Sequence, residues 1–358
     1  MLKKKSLTLR IINISIILII IVVIWQYIEV RRVVLKNREL GPEPIGSILA
    51  MNVEESSGII SSNKRENFYW THEDSGYYGI NPRTTLHGFE IDELGKKNHQ
   101  EVRLDGVTNL DWGDIAKDTK GNIILADTGN SLVRRNFVFY RFPEPEEGQE
   151  YVEKNDIDKI IFRFPQGKEL NNEAVFYADD SIYVLIKEYG KTKMYRLPDD
   201  QINIGRINTI NYIDEFKFMG ESKLADYMDA VTGADISNTE LTMVFNTYKG
   251  IYMFKRKEKN TNFFLGKIYY LPLKWDIRKY QYEAISFTKD NRNLILTTEQ
   301  GDIYKVSVDD FKLIREEQPS EQLIEQPKKV GEDRLGFKDK IGHMIGSIQV
   351  FVMDIIFR

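Results

Sequence analysis

Glu283-Ala284-Ile285, a polar turn, and then Leu294-Ile295-Leu296-Thr297-Thr298-Glu299 form a short unit that the chain writes five times. The earlier copies are Ser57-Gly58-Ile59 with Phe68-Tyr69-Trp70-Thr71-His72-Glu73-Asp74, and Asp114-Ile115-Ala116 with Ile123-Ile124-Leu125-Ala126-Asp127. Glu173-Ala174-Val175 with Ile182-Tyr183-Val184-Leu185-Ile186-Lys187 follows, then Ala234-Asp235-Ile236 with Leu241-Thr242-Met243-Val244-Phe245-Asn246-Thr247. Each copy starts on a small or acidic residue, takes an apolar step, turns, and returns as an apolar strand with a polar end. Self-similar strand pairs recurring about every 50 to 60 residues are the signature of β-propeller blades, each blade being a four-stranded antiparallel sheet.

The expected architecture is therefore all-β, a propeller of five four-stranded blades, or six if one long interval holds two. In the first blade the strand candidates are residues 56–62, 67–73, 77–81 and 100–104. The last copy stops after Asp302-Ile303-Tyr304-Lys305-Val306-Ser307-Val308, with no fourth strand in view. Ile45-Gly46-Ser47-Ile48-Leu49-Ala50-Met51 meanwhile precedes the first copy without a partner. Pairing the two would close the ring and remove two exposed sheet edges.

Composition suits a globular, strand-rich body: 42% of residues are apolar and 29% charged, with nineteen Tyr, nineteen Phe and ten Pro. A net charge of -4 carries no nucleic-acid footprint. The absence of Cys removes disulfides, thiolate ligands and a thiol nucleophile.

Both ends differ from the body. Residues 1–10 form a basic segment containing Lys3, Lys4, Lys5 and Arg10, and residues 11–28 are apolar apart from Asn13, Ser15 and Gln26. Eighteen residues at about 1.5 Å each reach ~27 Å, close to the thickness of a hydrocarbon core. No small-x-small cleavage site follows, so an uncleaved signal anchor is expected, with a linker over 29–44. The basic cluster places the N-terminus in the cytoplasm and the propeller, residues 45–315, on the far side of the cell (inner) membrane. Residues 316–334 read as a polar linker rich in Glu, Gln, Pro and Lys. In 335–358, Ile341, Met344, Ile345, Ile348, Phe351, Val352 and Ile355 recur at helical spacing. That amphipathic helix could dock on the propeller, lie on a membrane surface or bind a protein partner.

Ring closure would gather the polar strand ends around one axis. Asp111, Asp114, Glu173, Asp235, Glu283 and Glu299 are the metal candidates, because carboxylates are the ligands Ca²⁺ and Mg²⁺ prefer. His72, Glu73, Asp74, Asp127, Asn130, Arg134 and Lys187 are ligand-binding candidates at the same strand ends. The bland alternative is turn chemistry, since Asp, Asn and Gly at strand ends are what tight turns use. Glu at the start of a strand is not explained that way, which singles out Glu173 and Glu283. Only His72, His87, His99 and His343 are present, and no Gly-x-Ser-x-Gly elbow occurs, so a serine nucleophile has little support. A histidine zinc site is equally unexpected, for no two His stand at i, i+4. No glycine-rich phosphate loop occurs either.

Trp70-Thr71-His72-Glu73-Asp74-Ser75-Gly76, Asp111-Trp112-Gly113-Asp114-Ile115-Ala116 and Asp127-Thr128-Gly129-Asn130, with Asn172-Glu173-Ala174 and Glu283-Ala284-Ile285, resemble a family of secreted or membrane-anchored bacterial β-propellers over residues 50–300. The family pattern reads Trp-Thr-His-Asn-Asp-Ser-Gly, Asp-Trp-Glu-Asp-Ile-Ala and Asp-Ile-Gly-Asp-Asn. This chain departs from it at Glu73, Gly113 and Thr128, and lacks one Asp before Asn130. With acids missing at two of these places, a metal site does not carry over whole. The resemblance implies a propeller outside the cytoplasm and assigns no reaction. A more distant likeness to calcium-dependent phytase-like and lactonase-type propellers extends to the ring and its axial acids only.

Two functions lead as expectations, ahead of a purely structural part in an envelope assembly that uses the two terminal segments. One is a binding or scaffold module for an envelope protein, glycan or small ligand. The other is a divalent-metal-dependent hydrolase of a phosphoester, lactone or glycan.

Overall fold

The computed structural model describes residues 17–18, 20–25, 27–28, 32, 41–48, 53, 55–74, 84–91, 99–129, 136–167, 170–219, 229–274 and 280–318. Five antiparallel sheets follow one another along the chain, and their inner strands stand side by side in a closed ring. The inner strands are Ser56–Ser61, Trp112–Lys117, Asn172–Ala178, Val231–Ile236 and Tyr282–Phe287, opening blades 1 to 5. The second strands are Phe68–Glu73, Asn122–Asp127, Ser181–Ile186, Thr242–Thr247 and Asn293–Thr298. The protein is a five-bladed propeller.

Burial grades outward from the axis, and the sequence follows it. Inner strands of blades 1, 4 and 5 are buried at every position, since a blade covers each face. The outermost strand of blade 1, His99–Leu104, and that of blade 2, Asp158–Arg163, carry exposed polar residues between buried ones. Five apolar cores fill the gaps between neighbouring blades. Trp70 and Trp112 lie between blades 1 and 2, Phe139 and Val184 between 2 and 3, and Phe176 and Phe245 between 3 and 4. Val244 and Leu296 lie between 4 and 5, and Ile295 and Ile59 close the circle.

The ring closes as its unpaired ends anticipate. Pro44–Ser47 adds to the last blade, with Gly46 opposite Ile303 and Ser47 opposite Asp302, and Ile48 N–H donates to the Gly301 carbonyl at 2.7 Å. Outer connections add further stitches. Tyr151–Val152 from blade 2 pairs with the edge of blade 1, and Ile207–Thr209 from blade 3 pairs with the edge of blade 2. Lys312–Arg315 from beyond blade 5 pairs with the edge of blade 4.

Two expectations are corrected. The strand between Phe68–Glu73 and His99–Leu104 of blade 1 is Thr85–Glu90, and the expected strand 77–81 lies outside the described residues. Its Leu86 and Phe89 are buried, and Gly88 leaves the room that the Phe68 and Trp70 rings occupy, 2.5 and 2.6 Å from where a Cβ would stand. The copies are also out of step with one another. Every inner strand carries a β-bulge one residue into the strand, at Ser57, Gly113, Glu173, Thr232 and Glu283. The residue equivalent to Glu173 is therefore Gly113 in blade 2 and Thr232 in blade 4, rather than Asp114 and Ala234. A bulge is a backbone feature open to many side chains, so residue type alone does not mark it.

The described residues of 17–32 are helical, and no helix among the described residues is long and apolar enough to cross a membrane. The amphipathic segment 335–358, most of the linker 316–334, and the candidates Asn130 and Arg134 lie outside the described residues.

Candidate functional site at the axial mouth

Five inner strands can meet around one axis only if their backbones approach closely, and small residues permit it. A Cβ at Gly58 would lie 3.1 Å from Asp114 Cα of the next blade. At Gly113 and Gly233 it would lie 3.2 Å from Glu173 Cα and Ala284 Cα, respectively. Ala174 and Ala284 stand at the positions equivalent to Gly58 and Gly233 in the other two blades.

Asp114 takes that position in blade 2 and puts a carboxylate in the middle of the ring, fully buried. It accepts the N–H of Ile115 at 2.8 Å, of Val175 in blade 3 at 2.8 Å and of Ala234 in blade 4 at 3.2 Å. Burial pushes this carboxyl well above the usual range, against the three donors and with Asp235 adding to the rise. Asp114 is thus a central clasp committed to backbone.

Above it, at the end where inner strands begin and second strands finish, two sets of equivalent residues form the mouth. One set is the five bulge residues. The other is the residue just past each second strand: Asp74, Thr128, Lys187, Tyr248 and Glu299. Lys187 Nζ lies 3.8 Å from Glu173 Oε1 and 5.6 Å from the centre of the Tyr248 ring. The carboxyls of Glu283 and Glu299 lie near enough to act on one another. Burial pushes the Glu283 carboxyl up to about 8; Lys187 opposes the rise, and the charges of Glu299, Glu173 and Asp74 add to it. Glu299 is raised by burial as well, with Glu55 and Asp74 adding to it. Burial works against the charge on Lys187, yet Glu173, Tyr248 and Glu283 more than offset it and hold its pKa well above the usual. Burial and Glu283 raise the Tyr248 hydroxyl. Among the described residues, Lys187 is thus the cation that Glu173, Glu283 and Glu299 share.

The remaining candidates are placed elsewhere. Asp235 is at the opposite end of the channel, accepting from Ile236 N–H and Phe287 N–H at 2.7 Å each and from the Ser286 hydroxyl at 3.1 Å. Burial raises it, and the charge of Lys117, which donates to Ser61, opposes the rise. Asp111 and Asp127 build a turn at the side of the mouth. Asp127 Oδ1 accepts the N–H of Asp111 at 3.0 Å, and the Asp111 carbonyl accepts those of Thr128 and Gly129. The His72 ring is buried edge-on against Trp112 at 5.7 Å, and burial lowers it to about 4, so it is a neutral wedge over Gly58. Glu73 faces away from the mouth, with Oε2 3.9 Å from His87 Nε2.

The structure brings the candidates Glu173, Glu283, Glu299, Asp74 and Lys187 to one end. It passed over Tyr248 as a site residue, although its place just past an apolar second strand is the same as that of Lys187 and Glu299.

Neither a protein-family model nor a curated protein matches the chain. Solved structures that are similar include a gluconolactonase from Xanthomonas campestris, at 12% identity, covering 78% of this chain and 97% of that one with a TM-score of 0.39. A PQQ-bound aldose sugar dehydrogenase from Streptomyces coelicolor is similar at 11% identity, covering 74% and 96% with a TM-score of 0.43. A 6-phosphogluconolactonase, so described, from Bacteroides uniformis is similar at 13% identity, covering 72% and 69% with a TM-score of 0.34.

Proposed function

We propose that this protein is a membrane-anchored, extracytoplasmic binding propeller whose ligand site is the axial mouth, with a hard divalent cation, Ca²⁺ or Mg²⁺, as part of that site. The observation that carries the reading is the crowding of buried carboxyls there: Glu173, Glu283 and Glu299 gather around Lys187, and Asp74 adds its charge to theirs. Like charges held together away from water are costly, and a cation bound by oxygen relieves the cost where protonation otherwise must. The bulges supply two of these acids because a bulge re-aims a side chain out of the ladder and toward the opening. A bound cation leaves coordination positions for oxygen donors of a glycan, a small polar ligand or an envelope protein. The apolar segment 11–28 would tether the propeller and 335–358 would engage a protein partner or the membrane surface, as their residue patterns suggest.

Glu283 favours a second reading. A carboxyl kept protonated near neutral pH beside ionised acids is the pattern of a general acid, which a metal-dependent hydrolase of a phosphoester, lactone or glycan would use. The two readings share the cation and separate on turnover.

The test is thermal unfolding of the full chain with chelator, with Ca²⁺ and with Mg²⁺, for wild type and Glu283→Gln. A cation-dependent rise in Tm in wild type that is lost in the variant supports the reading. No effect of either ion or of chelator on wild type contradicts it.

A further inference from the structure

A second constellation sits far from the axis, on the outer half of blade 1. His87 of the third strand pairs directly opposite Glu101 of the fourth. His99 is two residues before Glu101, so the pleat puts both on one face of the sheet, the face His87 shares. His87 Nδ1 and His99 Nε2 are 3.2 Å apart, and His99 Nε2 is 3.6 Å from Glu101 Oε1. One donor atom from each of the three residues falls within 4.8 Å of the others. Glu73, two strands in and on the same face, reaches the other nitrogen of His87, with Oε2 3.9 Å from Nε2.

We propose that His87, His99 and Glu101 form a binding site for a divalent transition ion of the zinc class, with Glu73 as the positioning residue behind His87. Nitrogen bonds to zinc of about 2.0 Å in a tetrahedron set neighbouring donors about 3.3 Å apart, close to the 3.2 Å between His87 Nδ1 and His99 Nε2. Two imidazoles and a carboxylate suit zinc and its neighbours and are a poor set for Ca²⁺ or Mg²⁺, which take oxygen. A carboxylate behind the far nitrogen of a ligating His is the usual outer support, fixing the tautomer and the ring. Three protein donors leave a fourth position, and the exposed Glu101 side chain beside the partly exposed His99 ring turns it toward solvent. Water or a donor from outside the chain fills it. The hydrogen bond His87 makes with His99 is the arrangement of the same pair without the ion.

The site is independent of the axial mouth and is tested separately. The full chain is dialysed against limiting Zn²⁺ in excess Ca²⁺, bound zinc is counted, and Tm is read with and without zinc. Wild type and Glu283→Gln are expected to hold one zinc per chain and gain Tm with it. His99→Ala, at a side chain only partly exposed, is expected to bind at least tenfold more weakly and to show no gain in Tm with zinc over its own metal-free value. Glu73→Gln is expected to lose about 10- to 100-fold in zinc affinity. Wild type without stoichiometric zinc overturns the proposal. So does equal zinc on wild type and His99→Ala, which would mean an adventitious ion only.

Discussion

The carboxylate of Asp114 in blade 2 accepts the backbone N–H of Ala234 in blade 4 at 3.2 Å, reaching past the neighbouring blade to which it also bonds through Val175. One side chain thereby ties three inner strands at the axis. Asp114→Ala strands these buried N–H groups, and each unpaired donor costs about 1 to 3 kcal/mol. The variant should lose about 3 kcal/mol or more by urea unfolding. Asp114→Asn keeps an acceptor oxygen without the buried charge and should lose less than half as much. An alanine variant as stable as wild type would remove Asp114 from this role.

Glu283 gives the stability a pH slope. Its folded pKa is about 8 against an ordinary 4.5, so between these values the folded chain holds a proton that the unfolded chain has released. Stability therefore falls as pH rises through that window, by at most about 1.4 kcal/mol per pH unit. Unfolding midpoints should decline from pH 5 to 8 in wild type and decline less in Glu283→Gln. Saturating Ca²⁺ should flatten the wild-type slope by displacing the proton. Parallel profiles for the two proteins would contradict this.

Arg256 of blade 4 is buried and grips Asp179 of blade 3 with two hydrogen bonds, at 2.7 and 2.8 Å. It also donates to the carbonyls of Glu240 and Thr261 and lies 3.9 Å above the Phe263 ring. Removing one partner of a buried pair leaves the other charge uncompensated, at a cost of about 3 to 5 kcal/mol. Arg256→Ala should fall in that range by denaturant unfolding, and a loss under 1 kcal/mol would show that the pair is solvated.

Ring closure depends on Pro44–Ser47. Deleting residues 1–48 opens the edge of Asp302–Ser307 and withdraws Ile48 from the core between blades 5 and 1. The truncated chain should melt well below wild type and self-associate through the free edge in sedimentation. A monomer of unchanged Tm would mean that the stitch contributes nothing.

Much of this was legible in the residues. Apolar inner and second strands recur because every blade buries the same two, so the five blades and the closing strand follow from pattern alone. Glu173 and Glu283 stood out because turns do not call for Glu at a strand start. The bulges were not legible. They shift Asp114 and Asp235 off the mouth, one to the centre of the ring and the other to its far end. The pairing of His87 with Glu101 was hidden for another reason, since metal spacing was sought at helical i, i+4, whereas a sheet presents i, i+2 on one strand and a residue opposite. The outer strands of blade 1 are less continuously apolar than its inner ones, so the register that joins these residues comes from the structure.

The measurement closest to the central claim is calorimetric titration of the chelator-treated full chain with Ca²⁺ and with Mg²⁺, paired with elemental analysis. One of the two ions should bind in a single equivalent, releasing a proton near pH 7 as Glu283 ionises, and binding should be lost in a Glu173→Ala, Glu283→Gln double variant. No heat and no retained Ca²⁺ or Mg²⁺ in wild type, or equal binding by the double variant, would contradict a cation site at the axial mouth.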